Sequence, residues 1–255
     1  MGLFDRFSKP PPVVRDVWNG YAYRFGEGER CVVSFDVAAC DPKEQKPSEL
    51  RRIICFAPEE HVGPTGMPSP EMFARMRAIE DAAVKALTEA KVRAWLIGKQ
   101  VYRGMRELLF QVDDLAGFAK VYEALDERFG GMKLIEHADW KFFNDKIKPD
   151  ARAFNHMGNR DVLMALRDAG ADFDQVHVLD HTFVGPTEAL EEIEAVMTAQ
   201  GYAGRVNGES LTMSGEHPLD QDELDDTTMM LRAMAADLGA AYDGWGTMPK
   251  RKSAN

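Results

Sequence analysis

Histidine and cysteine are the side chains through which this sequence could do chemistry, and their spacing sets how far that goes. His177 and His181 are four apart in a β-branched, apolar stretch, so on a strand both rings lie on one face. Two imidazoles on one face can begin a metal site, but no third ligand is close in sequence, and a packed or surface pair is the preferred account. His61 lies in a proline-rich loop without a recognisable partner. Cys31, Cys40 and Cys55 form no Cys-x-x-Cys pair and sit in apolar stretches, where a free thiol behaves as a small hydrophobe. An odd number of cysteines without metal spacing fits a reducing cytoplasm. Gly-x-Gly-x-x-Gly, Walker A, His-Glu-x-x-His and Gly-x-Ser-x-Gly are all missing from the sequence. These residues lead us to expect no catalytic group, no metal and no cofactor.

Acidic side chains carry a stronger signal. Residues 1–154 hold 24 Asp plus Glu against 24 Lys plus Arg, whereas residues 155–255 hold 18 against 7 and so carry the whole net charge of −11. Glu188, Glu191, Glu192 and Glu194 share one helical segment, and Asp220, Asp222, Glu223, Asp225 and Asp226 crowd the start of another. Five acids exceed what a helix cap and dipole use, so this cluster is either a solvated face or a protein-binding one. A field of this sign repels nucleic acid, anionic lipid and anionic metabolites, and attracts basic protein surfaces. An RNA-binding sheet would need aromatics inside a basic strand, but 202–206 offers one Tyr and one Arg. We therefore expect no direct nucleic acid binding by the second half. Tyr21, Tyr23, Trp95 and Trp140 of the neutral half are read as buried core.

A chain of 255 residues, 45% hydrophobic and 29% charged, is that of a soluble protein with room for two domains. No apolar run approaches the roughly 20 residues of a membrane span. Residues 1–7 lack a signal-peptide core, and Arg6 stands where a myristoylation signal wants Ser or Thr. A cytoplasmic protein without membrane contact is expected.

These residues need elements to position them. Strands are predicted at 17–25, 31–39 and 51–57, with a stiff Lys-Pro-Pro-Pro linker at 9–12 ahead of them and a long loop at 58–68 after them. Ser69-Pro70-Glu71 is a strong helix start, and Met72, Phe73, Met76, Ile79, Ala83, Leu87 and Ala90 continue it with one apolar stripe. Strands at 92–100 and 105–112, a helix at 115–129 capped by Asp114, and a strand at 133–143 complete the first half. Residues 146–150 read as the linker. The second half predicts a helix at 159–169, a strand at 176–184, a helix at 187–200, a hairpin of 202–206 and 210–213 around Asn207-Gly208, a helix from Asp220 to Leu238, and a strand at 241–245. Each half thus runs β-α-β-β-α-β, the ferredoxin-like order, with an extra hairpin leading the first and a helix leading the second. We expect an α+β chain of two tandem ferredoxin-like sandwiches, with domains at 13–148 and 157–249.

Three segments of the second half resemble a known family: Asp161-Val162-Leu163 through Ala169-Gly170-Ala171-Asp172, Val178-Leu179-Asp180-His181, and Ala240-Ala241-Tyr242-Asp243-Gly244-Trp245-Gly246-Thr247. From about 159 to 247 the chain is similar to the regulator of ribonuclease E activity B family. That resemblance implies a small, acidic, ferredoxin-like protein that binds the endoribonuclease and modulates RNA decay without catalysis of its own. The chain departs from the family's studied form in its large first domain and in ending Lys250-Arg251-Lys252 instead of in a long acidic tail. Residues 13–148 more weakly resemble the bacterial domain of unknown function 695, through Arg106-Glu107-Leu108-Leu109-Phe110 and Asp139-Trp140-Lys141-Phe142-Phe143.

The expected function is a non-catalytic regulator whose acidic second domain docks on a basic protein surface, a ribonuclease E type enzyme being the candidate. Asp180, His181, Tyr242, Asp243 and Trp245, with Asp220, Asp222, Glu223, Asp225 and Asp226, are the candidate contact residues. Tyr-Asp-Gly-Trp is alternatively a structural turn, with Gly244 allowing a tight backbone and Trp245 filling core. The competing expectation is an enzyme or small-molecule site seated in the first domain, with the 58–68 loop as its candidate wall. Oligomeric state is left open by the sequence.

Overall fold

The computed structural model describes residues 14, 17–25, 28–45, 49–248 and 250. The leader at 1–7, the linker at 9–12, part of the first hairpin turn at 26–27, and the terminal Arg251 and Lys252 lie outside the described residues. The chain divides into two compact units, Met1–Pro149 and Asp150–Asn255.

In the N-terminal unit the strands are β1 (Trp18–Phe25), β2 (Glu29–Asp36), β3 (Glu49–Phe56), β4 (Ala94–Tyr102), β5 (Met105–Val112) and β6 (Met132–His137). Helix α1 (Pro70–Glu89) joins β3 to β4, and α2 (Leu115–Phe129) joins β5 to β6. The sheet order is β1-β2-β4-β5-β3-β6, every neighbour antiparallel. Its last four strands have the ferredoxin-like arrangement, and the leading hairpin widens the sheet beside β4. Ser69 Oγ accepts from Met72 N–H at 3.3 Å and so starts α1 where the sequence predicts. Met72, Met76, Ile79, Ala83 and Leu87 then recur at helical spacing and pack with Phe118 and Leu125 of α2 on Ile53, Leu96, Leu108 and Phe110. Each of the larger side chains contributes on the order of 1.5–3 kcal/mol by burial.

The strand predicted at 133–143 stops at His137. Trp140, Phe142 and Phe143 leave the sheet edge, and Phe143–Ile147 forms a short π-helical turn. Phe143 and Ile147 are fully buried, and Trp140 meets Phe143 edge-on at 5.5 Å. This segment lies on the sheet face away from the helices, close enough that a Cβ on Gly98 would sit 2.5 Å from Ile147 Cγ2. Its aromatics gain burial there that an edge strand would not give them.

The C-terminal unit contains α3 (Ala151–Asp168), β7 (Val176–Val184), α4 (Thr187–Ala199), β8 (Ala203–Asn207), β9 (Ser210–Pro218), α5 (Gln221–Asp237) and β10 (Ala241–Gly246). Its sheet order, β10-β7-β9-β8, is again ferredoxin-like and antiparallel throughout. Helix α3 begins eight residues before the predicted start, because Asp150 Oδ1 caps Ala153 N–H at 2.7 Å. Strand β9 runs on to Pro218, and the hairpin turn falls on Gly208 and Glu209, one place later than read. Leu190, Ile193 and Met197 of α4, with Leu231 and Ala235 of α5, cover Phe183, Leu211 and Met213. Leu163 and Leu166 of α3 form a second cluster with Leu179, Leu219 and Leu224.

Candidate functional site

Strand β7 alternates cleanly, with Val176, Val178, Asp180 and Val184 exposed and His177, Leu179, His181 and Phe183 buried. Both histidines therefore enter the core. His177 Nε2 bonds the carbonyl of Asp172 at 2.8 Å. His181 Nδ1 meets Tyr242 Oη at 2.8 Å, and its Nε2 lies 3.3 Å from Nε2 of His217, which Tyr202 Oη also reaches at 2.9 Å. An Nε2–Nε2 contact needs one nitrogen to donate and the other to accept, so it is compatible with neutral rings and not with two imidazolium ions. Burial pushes His181 down to about 4, with the neighbouring His217 acting in the same direction and Asp180 against it. Burial likewise lowers His217 and raises the phenols of Tyr202 and Tyr242. The four rings thus form a neutral, hydrogen-bonded cluster between the sheet and its helices.

A second polar network ties α3 to α5. Asp225 is 7% exposed. Its Oδ1 accepts from Asn159 Nδ2 at 2.8 Å and Gln221 Nε2 at 2.9 Å, and its Oδ2 lies 2.6 Å from His156 Nδ1. Asn155 donates through Nδ2 to Thr228 Oγ1 at 2.8 Å, and its Oδ1 accepts from Arg232 Nε at 3.1 Å. Trp245 joins through its indole N–H, which donates to Asn159 Oδ1 at 2.8 Å. The sequence prediction starts this helix at Asn159 and leaves Asn155 outside it, although their four-residue spacing is the available signal.

The candidate contact residues therefore separate into two groups. Asp220, Asp222, Glu223 and Asp226 are exposed around the start of α5, where Asp220 also caps Glu223 N–H at 3.0 Å. Asp243 is exposed on β10, in a bulge that Gly244 permits with φ +128°. Asp180 is exposed on the sheet's open face and accepts from Ser214 Oγ at 2.5 Å. His181, Asp225 and Tyr242 are buried, and Trp245 is partly buried against Leu163, Leu166 and Leu179. Glu188, Glu191 and Glu192 are exposed on α4, while Glu194 accepts from Val206 N–H at 3.1 Å and closes part of the β8 edge.

Among the described residues no three His, Cys, Asp or Glu side chains converge to hold a metal. No helix there is long and apolar enough to cross a membrane.

Residues 16–146, more than half of the 255-residue chain, match the Family of unknown function (DUF695). The chain belongs to this family. Residues 156–247 of this DUF695 protein match a second family, Regulator of ribonuclease activity B. That match begins at His156 and takes in the histidine–tyrosine cluster, the α3–α5 network apart from Asn155, the acidic start of α5 and the Tyr-Asp-Gly-Trp bulge. No curated protein matches the chain.

Proposed function

We propose that this protein is a cytoplasmic, non-catalytic regulator that binds a partner through residues 157–249 and modulates its activity. The observation that carries this reading is the match of 156–247 to Regulator of ribonuclease activity B. It makes an RNA-decay enzyme of the ribonuclease E type the candidate partner. Asp220, Asp222, Glu223 and Asp226, exposed at the start of α5, are the proposed contact residues, with Asp180 and Asp243 as further acids on the same unit. Their charge favours a basic protein surface and disfavours direct nucleic acid contact. His181, Tyr242, Asp225 and Trp245 serve this surface from inside: they hold β7, β10, α3 and α5 in place. Residues 13–148 form the second proposed domain.

Affinity capture from lysate, run at low and at high salt, tests the proposal. Attraction between exposed charges is screened as the Debye length falls from about 10 Å at 0.1 M to about 3 Å at 1 M. A basic or RNA-processing partner should be retained at low salt and lost at high salt. Recovery of none at either condition overturns the reading.

A further inference from the structure

Helices α3, α4 and α5 pack on one face of the C-terminal sheet, through Leu179, Phe183, Leu211 and Met213. Alternation turns Val176, Val178 and Val184 to the other face, where they are 46%, 45% and 44% exposed. Short hydroxyl side chains stand beside them, Thr182 on β7 and Thr212 and Ser214 on β9. Exposed apolar residues grouped on one uncovered face mark an interaction surface. Charge is sparse on it. From residue 155 onward the chain has 18 acids and 7 bases, yet the strand residues of this face supply only Asp180, Glu216 and Asp243 against Arg205. A basic partner finds little attraction here, whereas two copies of an acidic unit meet least repulsion. The charges also stand in register. Arg205, on the edge strand β8, pairs with Thr212, and Thr212 pairs with Thr182. Tyr242 points into the core, so Asp243 next to it turns to the open side, in the bulge beside Thr182. One row across the sheet therefore carries Arg205 at one edge and Asp243 at the other. A two-fold axis running along the strands, between β7 and β9, keeps that height and exchanges the edges.

We propose that two copies of the chain pair through this open face, sheet on sheet, about that axis. Each Arg205 then faces Asp243 of the second copy, so the same surface serves both sides and complements itself. Asp180 faces Ser214 of the second copy, and Val178 faces its Glu216, so no acid directly opposes an acid. Packed sheets lie roughly 10 Å apart, a gap that valine and threonine fill from both sides and an Arg–Asp pair spans. The pairing takes Asp180 and Asp243 for itself and leaves the acids of α5 to the partner proposed above.

Sedimentation of the full chain across a concentration series tests the pairing without any other partner. The mass should rise from that of one chain towards that of two. Arg205→Asp or Asp243→Arg alone sets like charges together at both ends of the row, and each should weaken pairing at least tenfold. Combined in one chain they restore opposite charges, and affinity should return to within threefold of native. An equimolar mixture of the two single variants should pair as well, because every altered side chain then meets its opposite. Thr212→Glu, exposed near the axis, should weaken pairing at least tenfold, with circular dichroism confirming that each variant is folded. The mass of one chain at every concentration up to about 1 mM overturns the pairing. Affinity unchanged in Thr212→Glu overturns the face. Single reversals without effect, or a folded combined variant as weak as either single, overturn the two-fold register.

Discussion

The two units share one topology and differ in how they keep polar groups inside it. In the N-terminal unit the best-buried network is built on a charge: Glu107, 2% exposed, accepts from Arg52 Nη1 at 3.1 Å, Gln100 Nε2 at 2.5 Å and Tyr102 Oη at 3.1 Å. In the C-terminal unit His181, His217, Tyr202 and Tyr242 share hydrogen bonds without requiring charge. The first unit covers much of its second sheet face with Trp140, Phe143 and Ile147, while the second leaves Val176, Val178 and Val184 of that face exposed. Nearly equal numbers of acids and bases let the first unit match charges internally. The second has 18 acids against 7 bases from residue 155 onward, so most of its acids cannot be paired and must stay in solvent. One fold thus serves two electrostatic solutions, and the solution follows composition.

Breaking the ion-paired solution should have the largest effect. Glu107→Ala strands Arg52, whose side chain is 14% exposed, beneath the ring of Phe142. Removing one partner of a buried pair costs about 3–5 kcal/mol. Urea unfolding followed by tryptophan fluorescence should show the N-terminal unit destabilised by that amount. An unchanged midpoint would show that water reaches Arg52 and that the contrast between the units is smaller than drawn.

The neutral cluster should be broken by acid instead. Folded His181 stays unprotonated down to about 4, whereas the unfolded chain takes up the proton near the ordinary 6.5. Between those values the unfolded state holds more protons, so this contribution is intact above pH 6.5 and is lost as pH falls towards 4. At about 1.4 kcal/mol per pH unit, the loss reaches ~3 kcal/mol. The lowered pKa of His217 acts in the same direction. His181→Phe should flatten the stability profile of the C-terminal unit between pH 6.5 and 4 relative to the native chain. Parallel profiles for the two proteins would refute the cluster as the acid-sensitive element.

How much of this was legible in the sequence depended on how local each signal was. Ser69 and Asp114 cap the helices they were read to cap, and the alternation of β7 placed His177 and His181 on one face before either was known to be buried. A strand continued over 138–143 is the wrong expectation because aromatic residues favour strands in general, while the packing of Ile147 on Gly98 that draws this segment off the edge couples positions 49 residues apart. The acids at the start of α5 could be counted but not sorted. Asp225 stands beside Asp226 in sequence, and only the arrival of Asn159 and His156 from α3 makes one structural and leaves the other in solvent.

That sorting gives the comparison its finest test, with the smallest expected change in stability. Asp222→Lys with Asp226→Lys alters two exposed side chains, of which Asp226 makes a 3.5 Å pair with exposed Arg152. Exposed pairs of this kind contribute about 0–1 kcal/mol, so the unfolding midpoint should barely move. Asp225→Ala instead leaves Asn159, Gln221 and His156 without their shared acceptor, and should cost about 1–3 kcal/mol. Partner capture should respond in the opposite order: lost in the double reversal, and retained in Asp225→Ala at temperatures where that variant is folded. Capture that survives the double reversal would move the contact away from α5, to the exposed acids of α4 or the open face of β7. Capture lost in both variants alike would mean that the partner reads the α3–α5 arrangement itself, and the buried network would then be part of recognition and not only of its support.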